Sequence, residues 1–365
     1  MMYADYNNCL VNLACSVLNE FRAEYHHPTL QCMDELLRNQ YQNIVVLLLD
    51  GMGMDALENH LQPDGFFRSH LAAAYSSVFP PTTTAATTSL ESGLTPCEHG
   101  WLGWSLYFSE IDKIVNAFIN TEKDSAQAAA DYHVANRYIP YKSVYEKINE
   151  TGTGKAYSVS KFGTNKISTF NGLTTEIIRL CNTEGKKYIY AYWETPDALM
   201  HEYGCYDKTV TENILRLEAA VQKMSGELSD TLLIVTADHG HINLSHYVLT
   251  DYPEILKMLK RPISIEERAA VFYVKDEFLS DFPIVFHKLF GDEFLLYSKD
   301  DVKRERIFGD GNSHKKFDEF IGDFLAVGIS DKGILYSHHS KVFRSNHAGM
   351  TEQEIRIPFI AISRK

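Results

Sequence analysis

The sequence predicts an α/β fold: a mostly parallel central sheet with helices on both faces, plus an inserted α+β cap. Two observations predict it. Residues 44–49, 188–193 and 232–236 are short, unbroken apolar runs of the kind that fill strands buried on both faces. Helical patterns separate these runs, and strand–helix alternation implies parallel strands with helices on either side.

The elements follow in order. Residues 5–40 form short helical pieces, with Leu10, Leu13, Val17, Leu18 and Phe21 near helical spacing. Residues 44–49 are too short for a buried helix and suit a central parallel strand. Residues 72–79 make a second strand, and 84–92 a helix ended by Gly93. Between strands 188–193 and 232–236, residues 213–228 carry an amphipathic helical pattern. The pattern changes after His241, with strands at 269–274, 323–329 and 334–337 and a helix at 277–290. An apolar strand returns at 355–363. We read 1–365 as one domain and 241–344 as a cap inserted within it. No internal repeat or low-complexity segment interrupts the chain.

Composition narrows the function. The chain has 365 residues, 45% of them hydrophobic, and a formal net charge of −13. Coating a nucleic acid needs clustered Lys and Arg, so that role is excluded. An anionic substrate must then be drawn in by a local positive source. The first twenty residues, with Asp5 and Glu20, show no basic start followed by an apolar run, so no secretory signal is expected. No apolar stretch of roughly 20 residues is present to span a bilayer. The six cysteines are dispersed without a Cys-x-x-Cys pair and read as small buried hydrophobes of a cytoplasmic protein.

Chemistry-bearing residues cluster at strand ends. Asp50 and Asp238 each follow an apolar strand, and His239 adjoins the second. In open α/β sheets, ligands gather at the carboxyl ends of strands, so both carboxylates fall on one edge. Asp197 and His201, four apart, share a helix face just after strand 188–193. His347 follows the cap. Each feature has a bland reading: Asp before Gly is commonly a turn, and Asp-x-x-x-His on a helix is commonly a solvated pair. Together they give three carboxylates and three imidazoles, a set suited to two borderline divalent cations. Zinc is the first expectation, because magnesium and calcium prefer all-oxygen shells; manganese and iron are the alternatives. The run Gly51-x-Gly53-x-x-Ala56 imitates a dinucleotide fingerprint, but the next strand ends in Ser76-Ser77-Val78-Phe79 with no acid for a ribose.

A hydroxyl-rich turn runs into the helix at 84–92. It reads Phe79-Pro80-Pro81-Thr82-Thr83, followed at fixed spacing by Ser92-Gly93-Leu94-Thr95-Pro96-Cys97-Glu98-His99-Gly100. With the Asp and His motifs, this closely resembles the alkaline phosphatase superfamily, in its nucleotide pyrophosphatase/phosphodiesterase-like branch. The resemblance spans 43–104, 186–241 and 341–362. It implies an alkaline-phosphatase-like fold and a small phosphoester or nucleotide as substrate. It implies Thr83 as the nucleophile of a covalent phosphothreonine, with Thr82 and Thr84 next in line. One metal would be held by Asp50, Thr83, Asp238 and His239, the other by Asp197, His201 and His347.

Two departures stand out. The family's Phe-Pro-Asn after the nucleophile is Thr84-Ala85-Ala86 here, removing an Asn that binds a phosphate oxygen. The family's His-Gly-Gly is His347-Ala348-Gly349. Two divalent ions exceed the charge of three aspartates by one, which a threonine alkoxide cancels. A diester monoanion needs no further cation there, and no Arg near Thr83 is identifiable for a monoester dianion, so the expectation is a two-metal phosphodiesterase. A phosphomonoesterase or phosphomutase using the same site is the alternative, and a catalytically silent metal-binding domain the second. A sulfatase is disfavoured, because no Cys begins a C-x-P-x-R pattern. Trp101, Trp104, Tyr107 and Phe108 offer aromatic surface, either for a nucleobase or for packing.

Overall fold

A computed structural model describes residues Met1–Lys365. Its central sheet has seven strands, ordered Leu71–Ser76, Arg356–Arg364, Thr231–Thr236, Asn43–Leu49, Lys187–Trp193, Lys155–Ser160 and Asn165–Lys166. Strand Arg356–Arg364 runs antiparallel to both neighbours, and the other pairings are parallel. Every residue of Asn43–Leu49 is buried, as a central strand covered on both faces requires.

Helices cover the two faces. Leu10–Glu20, Thr83–Ser92 and Val144–Thr151 pack together in one layer. Lys208–Ser225 packs with Phe170–Cys181, Asp197–Tyr203 and Met54–His60 in another. The main hydrophobic core joins these helices to the sheet. The fold is thus the expected α/β architecture with a largely parallel sheet.

A second sheet, antiparallel throughout, has the order Phe294–Ser298, Phe324–Gly328, Ala269–Phe272, Ser264–Ile265, Ser105–Phe108, Lys113–Asn116 and Thr121–Glu122. Its strands alternate between two apolar layers. Ala269, Val271, Leu325 and Val327 face one; Ala270, Phe272, Phe324 and Ala326 face the other. This sheet is therefore not drawn from 241–344 alone. The 105–122 strands complete it, because Ile265 pairs with Ser105.

Register sets the site. Leu49 pairs with Trp193 and Leu48 with Thr236, so three neighbouring parallel strands end together. No helix is long and apolar enough to cross a membrane.

Candidate metal centre and nucleophile

Asp50 and Asp238 leave their strands at this common edge, and both are buried. Gly51 turns the chain immediately after Asp50 with φ of +73°, where a Cβ would lie 3.0 Å from the Cα of Asp197. The Asp197 amide donates to the Asp50 carbonyl at 2.9 Å, docking helix Asp197–Tyr203 against the first strand. His347 arrives on a loop anchored by the antiparallel pairing of Ile242–Asn243 with Ser345–Asn346.

The seven residues singled out in the sequence come together as two groups. Asp50, Asp238 and His239 form one, and Asp197, His201 and His347 belong to the other. Thr83 opens helix Thr83–Ser92 beside the first. Its Oγ1 lies 3.2 Å from His239 Nε2 and 3.5 Å from Asp50 Oδ2. The neighbouring hydroxyls point elsewhere: Thr82 donates to Glu266 at 2.6 Å, and Thr84 is wholly buried. Of the three threonines, Thr83 is the one whose hydroxyl lies beside Asp50 and His239.

Sequence reasoning missed His241. It is buried in the second group, with Nε2 2.6 Å from Asp197 Oδ1. The signal was available: residues two apart on extended chain face the same way, so His239 and His241 both turn inward.

Each imidazole is oriented through Nδ1. His201 Nδ1 faces the Ser345 carbonyl at 2.8 Å, His239 Nδ1 the Gly240 carbonyl at 3.1 Å, and His347 Nδ1 the Pro81 carbonyl at 3.1 Å. A carbonyl can only accept, so Nδ1 carries the proton and Nε2 presents a lone pair to the group. His241 Nδ1 lies 3.2 Å from Ser345 Oγ, whose hydroxyl donates to the Met200 carbonyl at 2.6 Å. Its Nε2 is then an acceptor facing an acceptor, Asp197 Oδ1. Two acceptors this close need a proton or a cation between them.

Electrostatics point the same way. Burial raises the Asp50 pKa well above the usual carboxylate range, and the charges of Asp238 and Asp197 add to it. Burial also raises Asp238, against the pull of His239. Burial works upward on Asp197 too, but His201, His241 and His347 bring it well below the ordinary value. His241 is pushed down to about 4 by burial, which favours its neutral, ligating form. Asp50 Oδ1 and Asp238 Oδ2 are buried without any hydrogen-bond partner. Orphaned buried carboxylate oxygens are costly unless a cation satisfies them. The donor set therefore fits two divalent ions.

The Asp197 group borders a cavity of about 610 Å³, lined at one end by Thr83, Asp197, His201 and His347, so the Asp50 group meets it only through Thr83. Trp104 lines it as well, whereas Trp101 and Phe108 are buried and Tyr107 packs under the Arg261 guanidinium at 3.6 Å. Of the four aromatics, one is thus placed to meet a substrate.

No curated protein sequence is significantly similar to the chain. Among solved structures, murine ectonucleotide pyrophosphatase/phosphodiesterase 5, as an inactive variant in complex with AMP, is 16% identical with a TM-score of 0.64, covering 87% of each chain. Its human counterpart is 18% identical with a TM-score of 0.63 and the same coverage. Phosphonoacetate hydrolase from Sinorhizobium meliloti is 14% identical with a TM-score of 0.62, covering 87% of this chain and 89% of its own. These likenesses establish a shared fold. The family model for type I phosphodiesterase/nucleotide pyrophosphatase matches residues 44–342. The chain belongs to that family and is a phosphoester hydrolase of its type.

Proposed function

We propose that the protein is a two-metal phosphodiesterase or nucleotide pyrophosphatase acting through a covalent phosphothreonine on Thr83. The observation that carries this reading is the Thr83 hydroxyl, 3.2 Å from His239 Nε2 and 3.5 Å from Asp50 Oδ2, beside two orphaned carboxylate oxygens. Asp50, Thr83, Asp238 and His239 would hold one ion; Asp197, His201, His347 and His241 would hold the other. When bound, such ions lower the pKa of a coordinated hydroxyl and neutralise charge on the phosphoryl oxygens.

The chain's own residues do the rest. Thr83 Oγ1 attacks phosphorus, the ester oxygen opposite it departs, and water then displaces Thr83 from the phosphoryl group. Helix Thr83–Ser92 presents free first-turn amides beside the reacting oxygen. These replace the amide side chain that the family pattern would place at Ala86, a position fully buried here. Zinc matches the mixture of imidazole and carboxylate donors. The second sheet, with the 241–344 segment as its larger part, would act as a cap shaping the pocket for a small phosphoester or nucleotide. Six free cysteines favour a reducing, cytoplasmic setting.

The first experiment compares bis-p-nitrophenyl phosphate, a nucleotide p-nitrophenyl ester and p-nitrophenyl phosphate as substrates of the metal-loaded protein. The diesters should turn over faster. Faster monoester turnover would favour a phosphomonoesterase or mutase, and turnover of none a silent metal-binding domain.

A further inference from the structure

We propose that Glu266 sets the ester class, its carboxylate opposing a phosphomonoester dianion at Thr83 and so directing the site to diesters. The inference rests on reading Thr83 as the attacking group.

Glu266 lines the same cavity as Thr83 and His347, on the wall contributed by the second sheet. Its Oε1 accepts from the Thr82 hydroxyl at 2.6 Å and from the Trp104 amide at 2.7 Å. Both bonds end on Oε1, which leaves Oε2 free for the cavity. Thr82 adjoins Thr83, so this carboxylate is tied to the residue beside the attacking hydroxyl.

Its placement is over-determined. Ile265, one residue before it, has φ of +71°, a conformation that β-branched residues avoid. Gly103 backs the turn closely: a Cβ there would lie 2.6 Å from Ile265 Cγ2 and 3.3 Å from Glu266 Cγ. A strained backbone and a neighbour without a side chain hold the carboxylate at this wall.

The charge consequence follows from the ester. A diester has one ionised oxygen, which the two metal-binding groups can face. A monoester dianion carries a second charge on an oxygen that a diester esterifies, and on Thr83 that oxygen would face the cavity whose wall carries Glu266. Like charges a few ångströms apart repel, more strongly in a partly desolvated cavity than in water. The cationic side chains in the cavity are Lys123 and Lys341. Lys123 donates to the Ile263 carbonyl at 2.8 Å, and neither lysine is bonded to Thr82 or Thr83.

The test is Glu266→Gln, which keeps an acceptor for Thr82 and Trp104 and removes the charge. Metal-loaded protein and variant are assayed at about pH 9, above the value of about 7 to which burial pushes Glu266. The ratio of kcat/KM for p-nitrophenyl phosphate to that for bis-p-nitrophenyl phosphate should rise by about tenfold or more, driven by the monoester. Metal content and Tm should match wild type. A ratio within about twofold of wild type, with metals retained, overturns the proposal. Should the Gln variant not fold, Glu266→Asp withdraws the charge by one methylene and should raise the ratio less; an unchanged ratio again overturns it. Turnover of neither ester by wild type would instead remove the hydrolase reading on which the inference stands.

Discussion

Thr83 stands between two threonines whose hydroxyls are engaged or buried elsewhere, and this makes its substitution informative. Thr83→Ala should lower kcat by at least about a thousandfold, because a covalent route loses its attacking atom. Elemental analysis of the same sample should still find both metals, since the Asp and His donors remain. Thr83→Ser should retain part of the activity. Full activity in Thr83→Ala would show that another group attacks. His241 invites a second test: His241→Ala should weaken the metal at the Asp197 group by about 10- to 100-fold in a competitive chelator titration, leaving the Asp50 group unaffected. Unchanged affinity at both sites would reduce His241 to packing. Ala348, beside His347, has φ of +88°, a conformation costly for alanine and open to glycine. Ala348→Gly should raise Tm slightly, since the strain released exceeds glycine's added unfolded-state entropy. At this scale the sequence was largely legible, because Asp50, Asp238 and His239 sit directly at strand ends. His241 was less legible, because its partners Asp197 and His347 are distant in sequence and meet it only in the fold.

The elements most clearly legible were the buried strands. Their apolar runs admit one reading, and residues 44–49, 188–193 and 232–236 fall within the observed strands. The helix at 277–290 is shorter than its pattern suggested: Asp276–Phe278 is a 3₁₀ turn, and the α-helix runs Phe282–Phe290 with Pro283 in its first turn. Strands 105–122 were not legible at all. They join the second sheet through the pairing of Ser105 with Ile265, a contact far apart in sequence that no local period encodes. Another long-range link holds the His347 loop. Arg268 and Glu354, both fully buried, pair through Nε to Oε1 at 2.6 Å and Nη2 to Oε2 at 2.9 Å. Glu354 also accepts from the Gly349 amide at 2.7 Å and from the Thr351 hydroxyl at 2.6 Å. Removing one partner strands a buried charge, so Glu354→Ala should cost about 3–5 kcal/mol in urea unfolding. It should also loosen His347 and weaken the Asp197 metal group. A change below about 1 kcal/mol would mean that the pair contributes little to holding the loop.

Over the whole molecule, titration and metal binding should separate cleanly. Glu91, on the helix that Thr83 opens, is raised to about 7 by burial, against a hydrogen bond from Tyr141. A carboxyl raised in the folded state keeps its proton while the unfolded chain loses it, so stability falls as pH rises from about 4.3 to about 7. Glu91→Gln removes that loss and should gain up to about 3 kcal/mol over wild type above pH 7, and little below pH 4.5. A pH-independent difference would place its effect in packing. Metal removal acts through the other set of buried acids. Without cations, Asp50 and Asp238 keep oxygens that nothing satisfies, and the folded state carries their burial uncompensated. Ions that bind only the folded chain stabilise it by about 3 kcal/mol per site at a hundredfold excess over Kd. For a chain of this length, chelation should therefore lower Tm by about 5–10 °C. Adding zinc should restore the original value, in wild type and in Thr83→Ala alike, because the hydroxyl is one donor among many. An unchanged Tm on chelation, with no transition metal recovered from the purified protein, would end the two-metal reading whatever the activity assays report.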